Sequence, residues 1–143
     1  MDALFLSTKK LPDGSPAWDL ALNSSGNIIV VAGPYAIAQN VACAVRTFLD
    51  ECWYDTTKGV PYFQQILGYM PSYQYMKAKF IGEAVKITGV GSVQCYLTGP
   101  SRETRVVGGQ MQITLAGGTV VIVTTPELGI APWYARAVDV YAL

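Results

Sequence analysis

Apolar positions along this chain change their spacing twice, and each change marks an element. Two short apolar runs, Asp19 to Leu22 and Ile28 to Val31, flank Asn23-Ser24-Ser25-Gly26-Asn27. A loop of this length with a glycine between two such runs predicts a β-hairpin. Gly33-Pro34 closes the second run and opens a helix, because a proline in the first turn gives up only an N–H that has no partner there. Ile37, Val41, Val45 and Phe48 then recur at helical spacing and form one buried stripe, with the helix ending near Asp50.

Past Asp50 the chain reads Trp53-Tyr54, Gly59-Val60-Pro61-Tyr62-Phe63 and Ile66-Leu67-Gly68: large apolar groups in a segment full of turn formers. Such an elbow must pack against its own core or against a partner. Pro71 and Ser72 open a second helix, with Ser72 as its N-cap. Its buried face is Tyr73, Met76, Phe80, Ala84 and Ile87, widened by Ile81 and Val85, and Gly89 and Gly91 end it. Lys79 and Glu83, four residues apart on that helix, predict a surface ion pair.

From Ser92 the period becomes two. Val93, Cys95 and Leu97 alternate with Gln94, Tyr96 and Thr98, and Gln110 to Leu115 alternate again. Each is a strand with one buried and one wet face. Gly108-Gly109 predicts a bulge or bend, and Gly117-Gly118 a hairpin turn. The returning strand, Thr119 to Thr124, is apolar on both faces. It is either central to its sheet or an edge covered by something else, since a bare edge of this composition aggregates. Its hairpin neighbour covers one side, and the other side suits a strand from another chain.

The ends are less regular. Residues 1–18 hold Ala3-Leu4-Phe5-Leu6 and then turn chemistry, an arm that folds onto the domain or reaches a neighbour. After Pro126 the chain is interrupted by Gly129 and Pro132 and made adhesive by Trp133, Tyr134, Val138, Val140 and Tyr141. It either wraps its own domain or clips onto an adjacent subunit. The expected fold class is therefore α+β: a small, mostly antiparallel β-sheet packed against two main helices, with an N-terminal β-hairpin and extended terminal arms. The expected division is an arm over 1–18, an α+β domain over 19–124 and a C-terminal extension over 125–143.

Composition narrows the function. Of 143 residues 51% are hydrophobic and only 14% charged, against about a quarter charged in ordinary domains. So few charges with so many aromatics favour apolar surface that a partner covers. Formal net charge is zero and the basic residues are scattered, which argues against a nucleic-acid binder. No apolar run approaches the length of a membrane span, and the N-terminus lacks the pattern of a signal peptide.

Candidate chemistry is sparse. Without histidine there is no Ser-His-Asp or Cys-His pairing and no His-containing metal site. Cys43, Cys52 and Cys95 are odd in number and lack metal-type spacing, and Cys43 and Cys95 read as small core residues of a reducing cytoplasm. No glycine-rich segment matches a phosphate-binding loop. The one carboxylate cluster is Asp50, Glu51 and Asp55 near Trp53. Two carboxyls beside an apolar group are the ingredients of glycoside hydrolysis. They sit, however, where the helix ends and a loop begins, the ordinary place for solvated acids, and the expectation is no catalytic residue, no cofactor and no metal.

The order of elements carries a resemblance. DLALNSSGNIIVVAG, a helix ending near TFLDE, GVPYFQQILG, a second helix and a β pair together resemble the baseplate wedge family of contractile-tail phages called sheath initiators. Similar proteins occur in type VI secretion baseplates. The resemblance covers roughly residues 17–124, and GVPYFQQILG is its most specific part. Some members carry a Glu-Pro-Arg signature near this elbow; here the region reads Lys58-Gly59-Val60-Pro61-Tyr62, so that charged contact is not carried over.

The resemblance implies a structural virion protein, located in the tail baseplate and assembled in the host cytoplasm, that templates the first sheath ring by β-strand pairing. Its implied partners are the tail sheath protein, baseplate wedge proteins and tail tube or hub proteins, with several copies per ring, six by resemblance, and neither nucleic acid nor membrane. The residues expected to meet partners are Pro61, Tyr62, Phe63, Ile66 and Leu67 at the elbow, and Thr119, Val121 and Val123 on the last strand. Trp133 and Tyr134 join them in the C-terminal segment. Two other functions remain open: a glycan-cleaving, lysozyme-like tail enzyme using the acidic cluster, and another hub or tube-end structural protein.

Overall fold

A computed structural model describes residues 2–10, 12, 16–69, 71–98, 106–129 and 139–142. Its elements run β1 (Asp2–Leu4), β2 (Leu6–Lys10), β3 (Pro16–Leu20), β4 (Val30–Ala32), α1 (Gly33–Arg46), a π-helical turn (Tyr62–Ile66), α2 (Tyr73–Ala84), β5 (Val90–Thr98), β6 (Val106–Leu115), β7 (Val120–Gly129) and β8 (Asp139–Ala142). This is the expected α+β fold. Among the described residues every named strand pair is antiparallel.

The N-terminal hairpin is present but narrow. Leu22 bridges Ile28, and the Ile29 amide donates to the Ala21 carbonyl. Asn23 makes the turn: its Oδ1 accepts from the amides of both Ser25 and Asn27, a side chain standing in for backbone. The hairpin's outer parts pair not with each other but with the N-terminal segment. β1 lies on β4, with Leu4 opposite Val30, and β2 lies on β3, with Leu6 opposite Leu20. The arm expected over residues 1–18 is thus largely strand, folded onto the domain.

α1 is bounded by chemistry at both ends. Pro34 occupies its first turn, as expected. Its last helical residue is Arg46, short of the expected end near Asp50. The reason is a competing pairing: the Val60 amide donates to the Thr47 carbonyl and the Leu49 amide to the Val60 carbonyl, so Phe48 and Val60 form a parallel bridge. Thr47 seals the exit by donating its hydroxyl to the Cys43 carbonyl at 2.9 Å. The chain then turns through Asp50, which takes a positive φ of 71°.

The second helix is capped as predicted, Ser72 Oγ accepting from the Tyr75 amide. It stops at Ala84; residues 85–89 continue in turns, and Gly91 lies inside β5 rather than at a helix end. Met76, Phe80 and Ala84 are buried, whereas Tyr73 and Val85, expected on the buried face, are exposed. The expected Lys79–Glu83 pair gives way to two nearer partners. Lys86 reaches Glu83 at 2.6 Å, and Lys79 stands 5.2 Å from the centre of the Tyr75 ring.

The large sheet has the order β5-β6-β7-β8. Its register aligns Cys95, Met111 and Val123 in one row and Val93, Ile113 and Val121 in the next. These rows are the floor of the core, with Ile113, Val121 and Val123 essentially inaccessible. Val41 and Val45 of α1, Met76, Phe80 and Ala84 of α2, and Val60 and Tyr62 of the elbow close over them. The predicted bulge is there, between Val107 and Gly109. A Cβ on Gly109 would sit 2.5 Å from the Tyr96 carbonyl oxygen, so the bulge needs glycine.

Candidate functional site

Beside α1 the small β layer is fixed by one buried polar side chain, Gln39. Its Nε2 donates to the Leu4 carbonyl at 2.7 Å and its Oε1 accepts from the Leu6 amide at 3.1 Å. The carboxamide thus plays the part of a strand's own peptide group. Phe5 adds a ring contact with Tyr35, centroids 5.9 Å apart. Buried Ala36 and Gln39 lie outside the main core cluster that holds Ala38, Val41, Ala42 and Val45. The helix is therefore buried on two sides, wider than the single stripe expected from Ile37, Val41, Val45 and Phe48. What this small layer leaves outside is aliphatic: Leu4, Leu20, Leu22, Ile28 and Val30 are all exposed.

The elbow resolves residue by residue. Gly59 has φ +106°, and a Cβ there would lie 2.6 Å from the carbonyl carbon and oxygen of Phe48. Only glycine allows this approach, which brings Val60 into the core and onto the Phe48 backbone. Tyr62 is buried, and its hydroxyl donates to the Val45 carbonyl at 2.6 Å. That carbonyl is one of the four at a helix C-terminus that lack an intrahelical partner, so the tyrosine caps α1 from a distance. Burial pushes its phenol pKa far up. The Leu67 amide closes the π-helical turn on the Tyr62 carbonyl, and Tyr75 of α2 donates its hydroxyl to Gln65.

Of the ten residues expected to meet partners, eight are described, and of these only Phe63 and Thr119 are exposed. Pro61 and Tyr62 are buried, and Ile66 and Leu67 pack against the core. Phe63 is 56% exposed, its ring tilted against Phe48 at 5.0 Å. On β7 Val121 and Val123 point into the core, and Thr119, just before it, is exposed. Trp133 and Tyr134 lie outside the described residues. Sequence reasoning missed the exposed aliphatic strip and the Gln39 clamp; a glutamine beside the apolar stripe of α1 was the available signal.

The side of β7 expected to await another chain is already occupied. β8 pairs along it, Val121 opposite Ala142 and Thr124 opposite Asp139. β7 is thus central, the first of the two alternatives open for it. It also runs on to Gly129, through the boundary expected at residue 124.

Two members of the acidic cluster, Glu51 and Asp55, are occupied with turns. Glu51 Oε2 accepts from the Phe48 amide at 2.8 Å. Asp55 accepts from the amide and hydroxyl of Thr57 and pairs with Lys58 at 3.5 Å. The Thr57 hydroxyl and amide hold the Asp55 carboxyl below the usual range, Lys58 adding to them. A general acid needs a shift in the opposite direction. Cys43, Arg46, Thr47 and Glu51 line an open depression, but burial raises the Cys43 thiol pKa despite the nearby Arg46, which opposes thiolate formation. Cys95 is likewise raised by burial. Among the described residues no group of three or more potential metal ligands is found, and no helix is long and apolar enough to cross a membrane.

The family model of contractile injection system sheath initiators matches residues 15–118. The chain belongs to the sheath initiator family. That span takes in the hairpin, α1, the Gly59 elbow, α2, β5 and β6, while β1 and β2 precede it. β7 and β8 lie beyond it. No curated protein matches the sequence. Membership makes this sheath initiator a structural component of a contractile injection system, with a role tied to the sheath.

Proposed function

We propose that this sheath initiator sits in the baseplate of a contractile phage tail, where it templates the first sheath ring through β-strand pairing and links sheath to wedge and tube proteins. The observation that carries the reading is β8. An extended segment from outside the family-matched region lies antiparallel along β7, which supports strand addition as the way this sheet takes a partner. Main-chain hydrogen bonds then supply affinity, and the apolar rows beneath β7 supply register.

The remaining contacts fall on surface the free chain leaves open. Phe63 at the elbow and the exposed Trp53 and Tyr54 offer aromatic anchors for wedge proteins. The aliphatic strip of Leu4, Leu20, Leu22, Ile28 and Val30 offers a second apolar face. Several copies, six by the resemblance, would form one ring. This role calls on no acid, base, metal or cofactor, and the Glu51 and Asp55 carboxyls serve local turns.

The test is assembly. The purified protein is mixed with the sheath subunit of the same system, with and without baseplate partners, and rings or short sheaths are followed by sedimentation and electron microscopy. Nucleation is expected. If the sheath subunit stays unassembled even with baseplate partners present, a hub or tube-end role takes its place.

A further inference from the structure

We propose that the loop from Phe48 to Val60 is a prebuilt docking knob whose Trp53 enters an apolar socket with a basic rim on a neighbouring baseplate protein. The inference rests on the baseplate reading above and gives the chemistry of one of its contacts.

The place of the two aromatics is the first support. The Asp55 amide donates to the Cys52 carbonyl at 3.0 Å, so Trp53 and Tyr54 are the two corner residues of a β-turn. Corners are ordinarily filled by glycine, proline, asparagine, aspartate or serine, whose backbone preferences make the turn. An indole and a phenol bring nothing of that kind. Nor do they pack inward: Trp53 is 89% exposed, the most open large apolar side chain among those described, and Tyr54 is exposed beside it. Their rings meet edge to face at 5.8 Å, so the corner is one apolar tip.

The second support is that the loop holds this tip in place. Its two ends are joined by the Phe48–Val60 bridge, the closed base of an Ω-loop. The Glu51 amide donates to the Phe48 carbonyl and the Lys58 amide to the Asp55 carbonyl, so turns flank the corner on both sides. Asp55 Oδ1 accepts from the Thr57 hydroxyl at 2.6 Å and from its amide at 3.1 Å. The Lys58 amine, 3.5 Å from the Asp55 carboxylate, stands 5.4 Å from the centre of the Tyr54 ring. Polar side chains of the loop are thus engaged in its own geometry, and what it presents outward is aromatic. A tip already fixed loses little freedom on docking, so more of its contact energy appears as affinity.

Charge gives the third. Residues 48–60 carry three carboxylates, Asp50, Glu51 and Asp55, against one ammonium, Lys58. An apolar centre inside an acidic border complements an apolar socket bordered by arginine or lysine. The same border opposes approach to an anionic membrane surface.

The experiment measures binding of the full-length protein to the baseplate proteins of the same system. Trp53→Ala removes a side chain that touches little of its own fold, so its denaturation midpoint should match wild type, while its Kd rises at least about 30-fold. Hydroxyl-radical footprinting, read by mass spectrometry of the digested protein, should find Trp53 oxidised in the free protein and protected in the complex. Asp55→Ala releases the turn beneath the tip and should raise Kd about 3- to 10-fold. Asp55→Asn, which keeps the acceptor for Thr57, should restore most of that loss. Wild-type affinity in Trp53→Ala, or equal oxidation of Trp53 in the free and bound protein, overturns the knob and leaves the baseplate reading standing. Protection of Trp53 that grows with concentration in the protein alone also overturns it, because the occupant is then a second copy. If the baseplate proteins do not bind wild type at all, the baseplate reading itself fails, and the knob with it.

Discussion

Replacing Tyr62 by phenylalanine removes one oxygen and tests the logic of the elbow. The ring keeps its surroundings: Phe48 edge-on at 5.4 Å and Phe80 at 6.1 Å. Lost is the donor to the Val45 carbonyl, a bond of 2.6 Å inside the core. Orphaning a buried carbonyl costs about 1–3 kcal/mol, and the site offers no room for a simple exchange with solvent, so about 2 kcal/mol is expected. With a urea dependence of about 2 kcal/mol/M for a chain of this size, the unfolding midpoint falls by about 1 M with its slope unchanged. Tyr62→Ala adds a cavity and costs about 3–5 kcal/mol.

Alkaline pH separates the hydroxyl from the ring. The phenol pKa is raised in the folded protein by burial, so above the ordinary value of about 10 the unfolded chain releases this proton first. The stability associated with the neutral phenol is complete below that pH and is lost as pH climbs toward the folded value. Wild type should therefore lose stability faster than Tyr62→Phe above about pH 10, by up to about 1.4 kcal/mol per pH unit. A phenylalanine variant with the wild-type midpoint, or one whose alkaline decline runs parallel to wild type, refutes the capping role.

Other substitutions probe the same frame. Gly59→Ala places a methyl 2.6 Å from the Phe48 backbone at a φ of +106°, and should cost about 2–4 kcal/mol in chemical denaturation; a loss under about 1 kcal/mol would mean the approach is not obligatory. Gln39→Ala orphans the Leu4 carbonyl and the Leu6 amide. It should destabilise by about 1–2 kcal/mol and speed hydrogen exchange in residues 2–10 while amides of β6 keep their protection. Phe63→Ser, at a side chain more than half exposed, should cost about 1 kcal/mol or less yet weaken capture of baseplate wedge proteins in a pull-down. Undiminished capture would remove the elbow from that contact.

Much of this fold was legible because its signals are local. Ser72 before an apolar period of 3.6, alternation from Val93 to Leu97, and glycine pairs at the bulge and turn each depend on a few neighbouring residues. The misreadings share one cause, which is pairing at long range. Nothing near Arg46 says that α1 must stop there; Val60, fourteen residues on, captures the Thr47 carbonyl. Leu4 and Leu6 likewise find Gln39 across more than thirty residues. The partner surface was harder still. Elbow residues chosen for their size are mostly core, because a large apolar side chain serves an interior as well as an interface, and only burial separates Phe63 from Tyr62.

Because α1 carries a β layer on each side, the molecule has a built-in order of yielding under tension. A pull on the N-terminal segment is borne by one carboxamide, a three-residue ladder against β4 and a five-residue ladder against β3. A pull across β5, β6 and β7 is shared by two ladders of eight residue pairs each. The small layer should peel away at low force, zipper-fashion, while the large sheet shears only at high force. For a part of a machine that works by sudden contraction, recoil would be transmitted along the sheet and absorbed by the hairpin, a mechanical fuse ahead of the core.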